Sequence, residues 1–140
     1  MWVGACRHLP VTGVTELVLE AHDLQRSEHF YGTILGLPVI ERWAPPRPAV
    51  WFAVGRHCRL GLWLPDRDGS RGIHGGRGGA HVHYAMGVSR QDVLEAKRHL
   101  LEAGCDVEDP VKFDEGDSCL YITDPDGNVG TTMSLPQYGL

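Results

Sequence analysis

Long apolar runs are missing from this chain of 140 residues. Their absence excludes a membrane-spanning helix and the apolar centre of a secretion signal. An excess of positive charge is missing too. Thirteen Lys and Arg stand against eighteen Asp and Glu, for a net charge of -5, and the cations are scattered rather than striped. No nucleic-acid surface is expected from that balance. Paired cysteines are absent as well. Cys6, Cys58, Cys105 and Cys119 show no CxxC spacing and sit in or beside apolar segments. They read as reduced and mostly buried thiols. His57 and Cys58 are adjacent, but neighbours along a strand point to opposite faces and make no nucleophile pair. A soluble, cytoplasmic, single domain over 1–140 is the expectation, with 42% apolar residues to build its core.

What the chain does contain is a repeat. ELVLEAHDLQRSEHFYGTILGL at 16–37 and HYAMGVSRQDVLEAKRHLLEAG at 83–104 each read as an alternating strand, a capped amphipathic helix and a terminating glycine. Asp23 is the predicted N-cap of the first helix, with Leu24, Phe30, Tyr31, Ile34 and Leu35 on its apolar side. Ser89 and Asp92 resemble a capping box for the second, whose stripe is Val93, Ala96, Leu100 and Leu101. Strands are predicted at 38–43, 49–55 and 58–64, then at 105–108, 110–113, 118–123 and 128–135. Each half is thus β-α-β-β-β. Module 1 covers about 14–65, a glycine-rich connector 66–80, and module 2 about 81–135. Neither half can bury its own apolar face alone, so the two should share a core, and the seam between them is the natural cleft.

DLQRSEHFYGTILGL at 23–37 and DPDGN at 124–128 resemble the signature and closing turn of the vicinal oxygen chelate superfamily, which contains glyoxalase I, bleomycin-resistance proteins, fosfomycin-resistance thiol transferases and extradiol dioxygenases. The resemblance covers nearly the whole chain. It implies an α+β fold in which two β-α-β-β-β modules form curved mixed sheets around a concave cavity, commonly in a homodimer that holds a small molecule.

Metal-dependent members use side chains on the first and fourth strands of each module, and the resemblance assigns those slots here. Glu16 falls in the first-strand slot of module 1 and His83 in that of module 2. The fourth-strand slot of module 1 is Gly61, which has no side chain; that of module 2 is Thr131 or Thr132, according to the register chosen. Glu16 and His83 are the candidate metal ligands, with His81, two residues away on the same strand face, as a possible third. The cofactor expectation is accordingly none, or one divalent ion, because a tight site needs three protein ligands. Glu16 is the one candidate general base. Glu16, Glu20, Arg59, Trp63, His81, His83, Tyr121, Thr131 and Thr132 are the expected ligand-binding set. The alternative reading of Trp51, Trp63 and Tyr121 is that they fill core or dimer interface, and Trp2 and Trp43 carry less information still. Two functions follow: a binding protein of the bleomycin-resistance type, acting in sequestration or resistance, or a metal-dependent lyase, isomerase, thiol transferase or dioxygenase of the same fold.

Overall fold

A computed structural model describes residues 10–65, 83–89, 91–108, 111–112 and 118–134. Two four-stranded mixed sheets organise them. In the first, β1 (Glu16–Glu20), β2 (Val39–Trp43), β3 (Ala49–Val54) and β4 (Cys58–Trp63) run in the order β1-β4-β3-β2. In the second, β5 (Tyr84–Val88), β6 (Val111–Lys112), β7 (Ser118–Thr123) and β8 (Val129–Ser134) repeat it as β5-β8-β7-β6. The first strand of each sheet pairs in parallel with the fourth, and the remaining pairs are antiparallel. The expected duplication is therefore a repeat of topology as well as of sequence.

Helix α1 (Leu24–Glu28) starts where expected, with the Asp23 carboxylate accepting from the Arg26 N–H at 3.1 Å. It then widens into a π-helical segment over His29–Ile34, which the sequence pattern does not announce. Phe30 and Tyr31 are both buried, and the Leu35 N–H reaches five residues back to the Phe30 carbonyl at 2.9 Å. Gly36, at φ 74°, then ends the element as a left-handed glycine should.

Helix α2 (Asp92–Glu102) departs from its expected cap. Gln91 occupies the N-cap without a side-chain bond, and the Ser89 hydroxyl donates to the Asp92 carboxylate instead of receiving an N–H. Of the expected stripe, Val93 and Leu100 are buried, whereas Leu101 lies one step of about 100° round the helix and is 51% exposed. The strand expected at 105–108 is an isolated bridge from Val107 to Ile122. The connector 66–80 lies outside the described residues.

A single apolar core joins the modules. Leu19, Leu60, Leu62, Val50 and Phe52 reach it from the first sheet, Leu120 and Ile122 from the second, and Phe30, Tyr31, Val93 and Leu100 from the helices. Each leucine sealed there contributes about 1.5–3 kcal/mol relative to exposure. Because alternate residues on a strand face opposite ways, the other face of each sheet points away from this core.

A cluster of polar bonds clasps the modules together where the two signatures meet. Tyr31 donates to Asp124 Oδ2 at 2.7 Å, and its oxygen lies 2.6 Å from that of Tyr84. Since the Tyr31 proton goes to the carboxylate, the Tyr84 hydroxyl donates to Tyr31. Asp124 also accepts from the Asp126 and Asn128 N–H groups and from Asn128 Nδ2, so the DPDGN turn is wound around its first residue. Asp126 in turn accepts from the His22 N–H at 2.8 Å and the Ser27 hydroxyl at 3.0 Å. The two signature segments thus meet in space, and what they do there is hold one module to the other.

Candidate functional site

The faces turned away from the core carry most of the residues singled out from sequence. On the first sheet the register sets Glu16 beside Arg59, Val18 beside Gly61 and Glu20 beside Trp63. Glu16 Oε2 accepts from Arg59 Nε at 3.0 Å and Nη2 at 2.8 Å. Both side chains are 40% exposed, so the pair adds little to stability. Its effect is to orient the guanidinium, whose Cζ lies 4.1 Å from the centroid of the Trp51 ring.

Trp51 is the centre of this face. Its indole lies across Gly61: a Cβ added at Gly61 would stand 2.5 Å from Trp51 Cζ3, closer than atoms approach. Trp43 and Trp63 close around it with ring centroids 5.3 Å and 6.0 Å away, and with 5.2 Å between each other. Trp51 is 1% exposed in consequence, while Trp43 and Trp63 are half-buried and present aromatic surface outward. Trp51 thus fills space, as one reading of the sequence expects, while Trp43, which the sequence does not single out, stands against it. They build the face on which Trp63 and Arg59 stand.

On the second sheet His83 stacks edge-to-face on Tyr121 with centroids 5.4 Å apart. Tyr121 pairs with Thr131, and Thr131 with Ala85, so these residues share the outward face. Thr132, paired with Leu120 and Met86, points to the core. The register question is thereby answered in favour of Thr131. Burial, then the neighbouring Cys119, raises the Tyr121 phenol above its ordinary range. It stays a neutral hydrogen-bonding group at ordinary pH. His81 lies outside the described residues.

Among the described residues, the expected metal slots are otherwise engaged. The Gly61 slot is empty of donors and filled by an indole, Glu16 is engaged by Arg59, and the Thr131 hydroxyl is directed at the Tyr84 carbonyl, 3.4 Å away. Among the described residues no three His, Cys, Asp or Glu side chains converge. A separate cavity of about 680 Å³ does open at the seam between the sheets, lined by Leu17, Leu60 and Met86 among others, and no described member of the expected ligand-binding set lines it. Among the described residues, no helix is long and apolar enough to cross a membrane.

Solved structures with the same fold include a lactoylglutathione lyase from Agrobacterium tumefaciens, 24% identical, with a TM-score of 0.70, covering 94% of this chain and 100% of that one. A glyoxalase/dioxygenase from Nostoc punctiforme is 20% identical at a TM-score of 0.74, covering 96% and 100%. The fosfomycin resistance protein FosX from Listeria monocytogenes is 14% identical at 0.72, covering 90% and 93%. A family model matches residues 13–129, and the chain, with its paired modules and the clasp of its two signatures, belongs to the Glyoxalase/Bleomycin resistance protein/Dioxygenase superfamily.

Proposed function

We propose that this protein binds a small planar aromatic molecule on the outward face of its first sheet, without a metal ion, and acts by sequestering it. The observation that carries this reading is the indole of Trp51 lying across Gly61. It converts the position where a metal-dependent relative would place a carboxylate into an aromatic floor. Trp43 and Trp63 offer ring faces for stacking, and Arg59, fixed by Glu16, supplies a cation beside them. Glu20 lies at the Trp63 end of the same face. His83, Tyr121 and Thr131 on the second sheet supply hydrogen-bonding groups of the kind that orient a ligand. Because both faces look away from the chain's own core, a homodimer in which a second copy covers them fits this reading.

The test is to titrate tryptophan fluorescence with the planar dye proflavine, with and without EDTA, in parent and Trp63→Ala protein. Saturable quenching that ignores the chelator and weakens at least tenfold in the variant is expected. Binding that EDTA abolishes, or a near-stoichiometric divalent ion in protein purified without chelator, would return the metal-dependent enzyme to first place.

A further inference from the structure

The seam between the two sheets has a chemistry opposite to that of the tryptophan face. It lies where β1 and β5, each the edge strand of its sheet, leave a gap between the modules. Val14, Leu17, Leu60, Met86, Cys58 and Tyr84 are among the side chains around it, and among the described residues no charged one lines it. Its volume of about 680 Å³ falls within the range of about 300–1,000 Å³ typical of small-molecule sites.

The two polar side chains of the lining have already committed their protons. The Cys58 thiol is directed at the Arg59 carbonyl, 3.7 Å away, and the Tyr84 hydroxyl donates to Tyr31 as the clasp requires. An ionised ligand would be stripped of water there with no opposite charge to meet it, which is a heavy cost. A neutral apolar molecule would lose nothing comparable and would cover Val14, which is now 75% exposed. We infer that the seam is a second binding site, separate from the aromatic face, and that it takes a small, neutral, apolar molecule.

Nile red, which is neutral and apolar, is the probe. The full chain should bind one dye at saturation, and Cys58→Phe and Val54→Phe, which place a ring at the seam, should each weaken binding at least tenfold. Leu94→Ala removes a 71% exposed leucine on α2 and should leave the affinity unchanged, which separates the seam from adsorption to surface apolar groups. A second readout needs no variant. Saturating dye should slow alkylation of Cys58 by N-ethylmaleimide while leaving Cys105, which does not line the seam, at its original rate. Unchanged Cys58 alkylation would overturn the proposal. So would parental dye affinity in both phenylalanine variants once their melting curves show them folded. Dye binding confined to concentrations at which the chain is monomeric would also overturn it, because a second copy would then be what covers the seam.

Discussion

Gly61 on β4 and Gly130 on β8 occupy the fourth strands of the two modules, and each lies beneath an aromatic ring from a neighbouring strand. Trp51 covers Gly61 from β3, and Tyr84 covers Gly130 from β5, where an added Cβ would stand 2.7 Å from Tyr84 Cζ. The faces differ. Gly61 shares the outward face with Val18 and Trp51, so its ring rebuilds the surface a ligand would meet. Gly130 shares the core face with Leu120, Met86 and Thr132, so its ring enters the clasp that joins the modules. One device, a bare backbone beneath a ring, thus shapes the outward face in one half and serves assembly in the other. Duplication kept the topology and let the two fourth strands diverge in purpose.

Breaking the second arrangement should cost most. Gly130→Val drives Tyr84 off its glycine and away from Tyr31, adding overpacking to a lost buried hydrogen bond, about 2–4 kcal/mol together, read from denaturant midpoints. Tyr31→Phe is milder. It keeps the ring but leaves the Tyr84 proton without its acceptor and takes one of two donors from Asp124 Oδ2, which keeps Asn128 Nδ2, about 1–3 kcal/mol.

The same pair sets a pH dependence. Burial first, then neighbouring Tyr84 and Asp124, holds Tyr31 well above the ordinary phenol value of 10.0, and burial does the same for Tyr84. An unfolded chain releases these protons near that value while the folded one retains them. Stability should therefore be undiminished by these groups below pH 10 and fall as pH rises beyond it. Tyr31→Phe should fall less steeply over that interval, as an alkaline titration followed by circular dichroism would register.

The contrast also explains what could be read in advance. Val54 and Cys58 flank the turn at Gly55, so counting outward along the antiparallel pair sets Trp51 opposite Gly61; the signal for the aromatic floor was in the sequence, in the hairpin arithmetic. No such count reaches Tyr84 and Gly130, because parallel strands are joined through a long crossover and their register is fixed by packing. The clasp was invisible for a related reason. Tyr31 and Asp124 are far apart in the chain, and their motifs identify a family without saying that the phenol meets the carboxylate. Glu16 was placed in its slot by spacing, but spacing could not show that Arg59 engages it. Leu101 was assigned to the core on hydrophobicity, although Leu100 already fills that position and the helix turns its neighbour outward.

Gly61→Ala sharpens the first arrangement. The added methyl must displace an indole held by Trp43, Trp63 and Arg59, and about 1–2 kcal/mol of overpacking is expected because the face lies away from the main core. The diagnostic readout is optical. Tryptophan emission should shift to the red as Trp51 gains water, and proflavine affinity should fall with it. An unshifted spectrum would mean that the indole does not rest on Gly61.

The smallest effect belongs to Thr132, two residues after Gly130 on β8. Its hydroxyl is buried and has no hydrogen-bond partner, on a face otherwise lined by Leu120 and Met86. Thr131, one residue back, directs its hydroxyl to the Tyr84 carbonyl. The two threonines therefore make opposite predictions under the same change. Thr132→Val removes a polar atom that gains nothing from burial and should leave stability unchanged or raise it by up to about 1 kcal/mol. Thr131→Val should not raise it, and by removing a hydroxyl from the outward face it should be the one of the pair that weakens ligand binding. If the two variants exchanged these outcomes, the register that puts Thr131 beside Tyr121 would be one residue out, and with it the division of β8 between a face that builds the core and a face that meets the ligand.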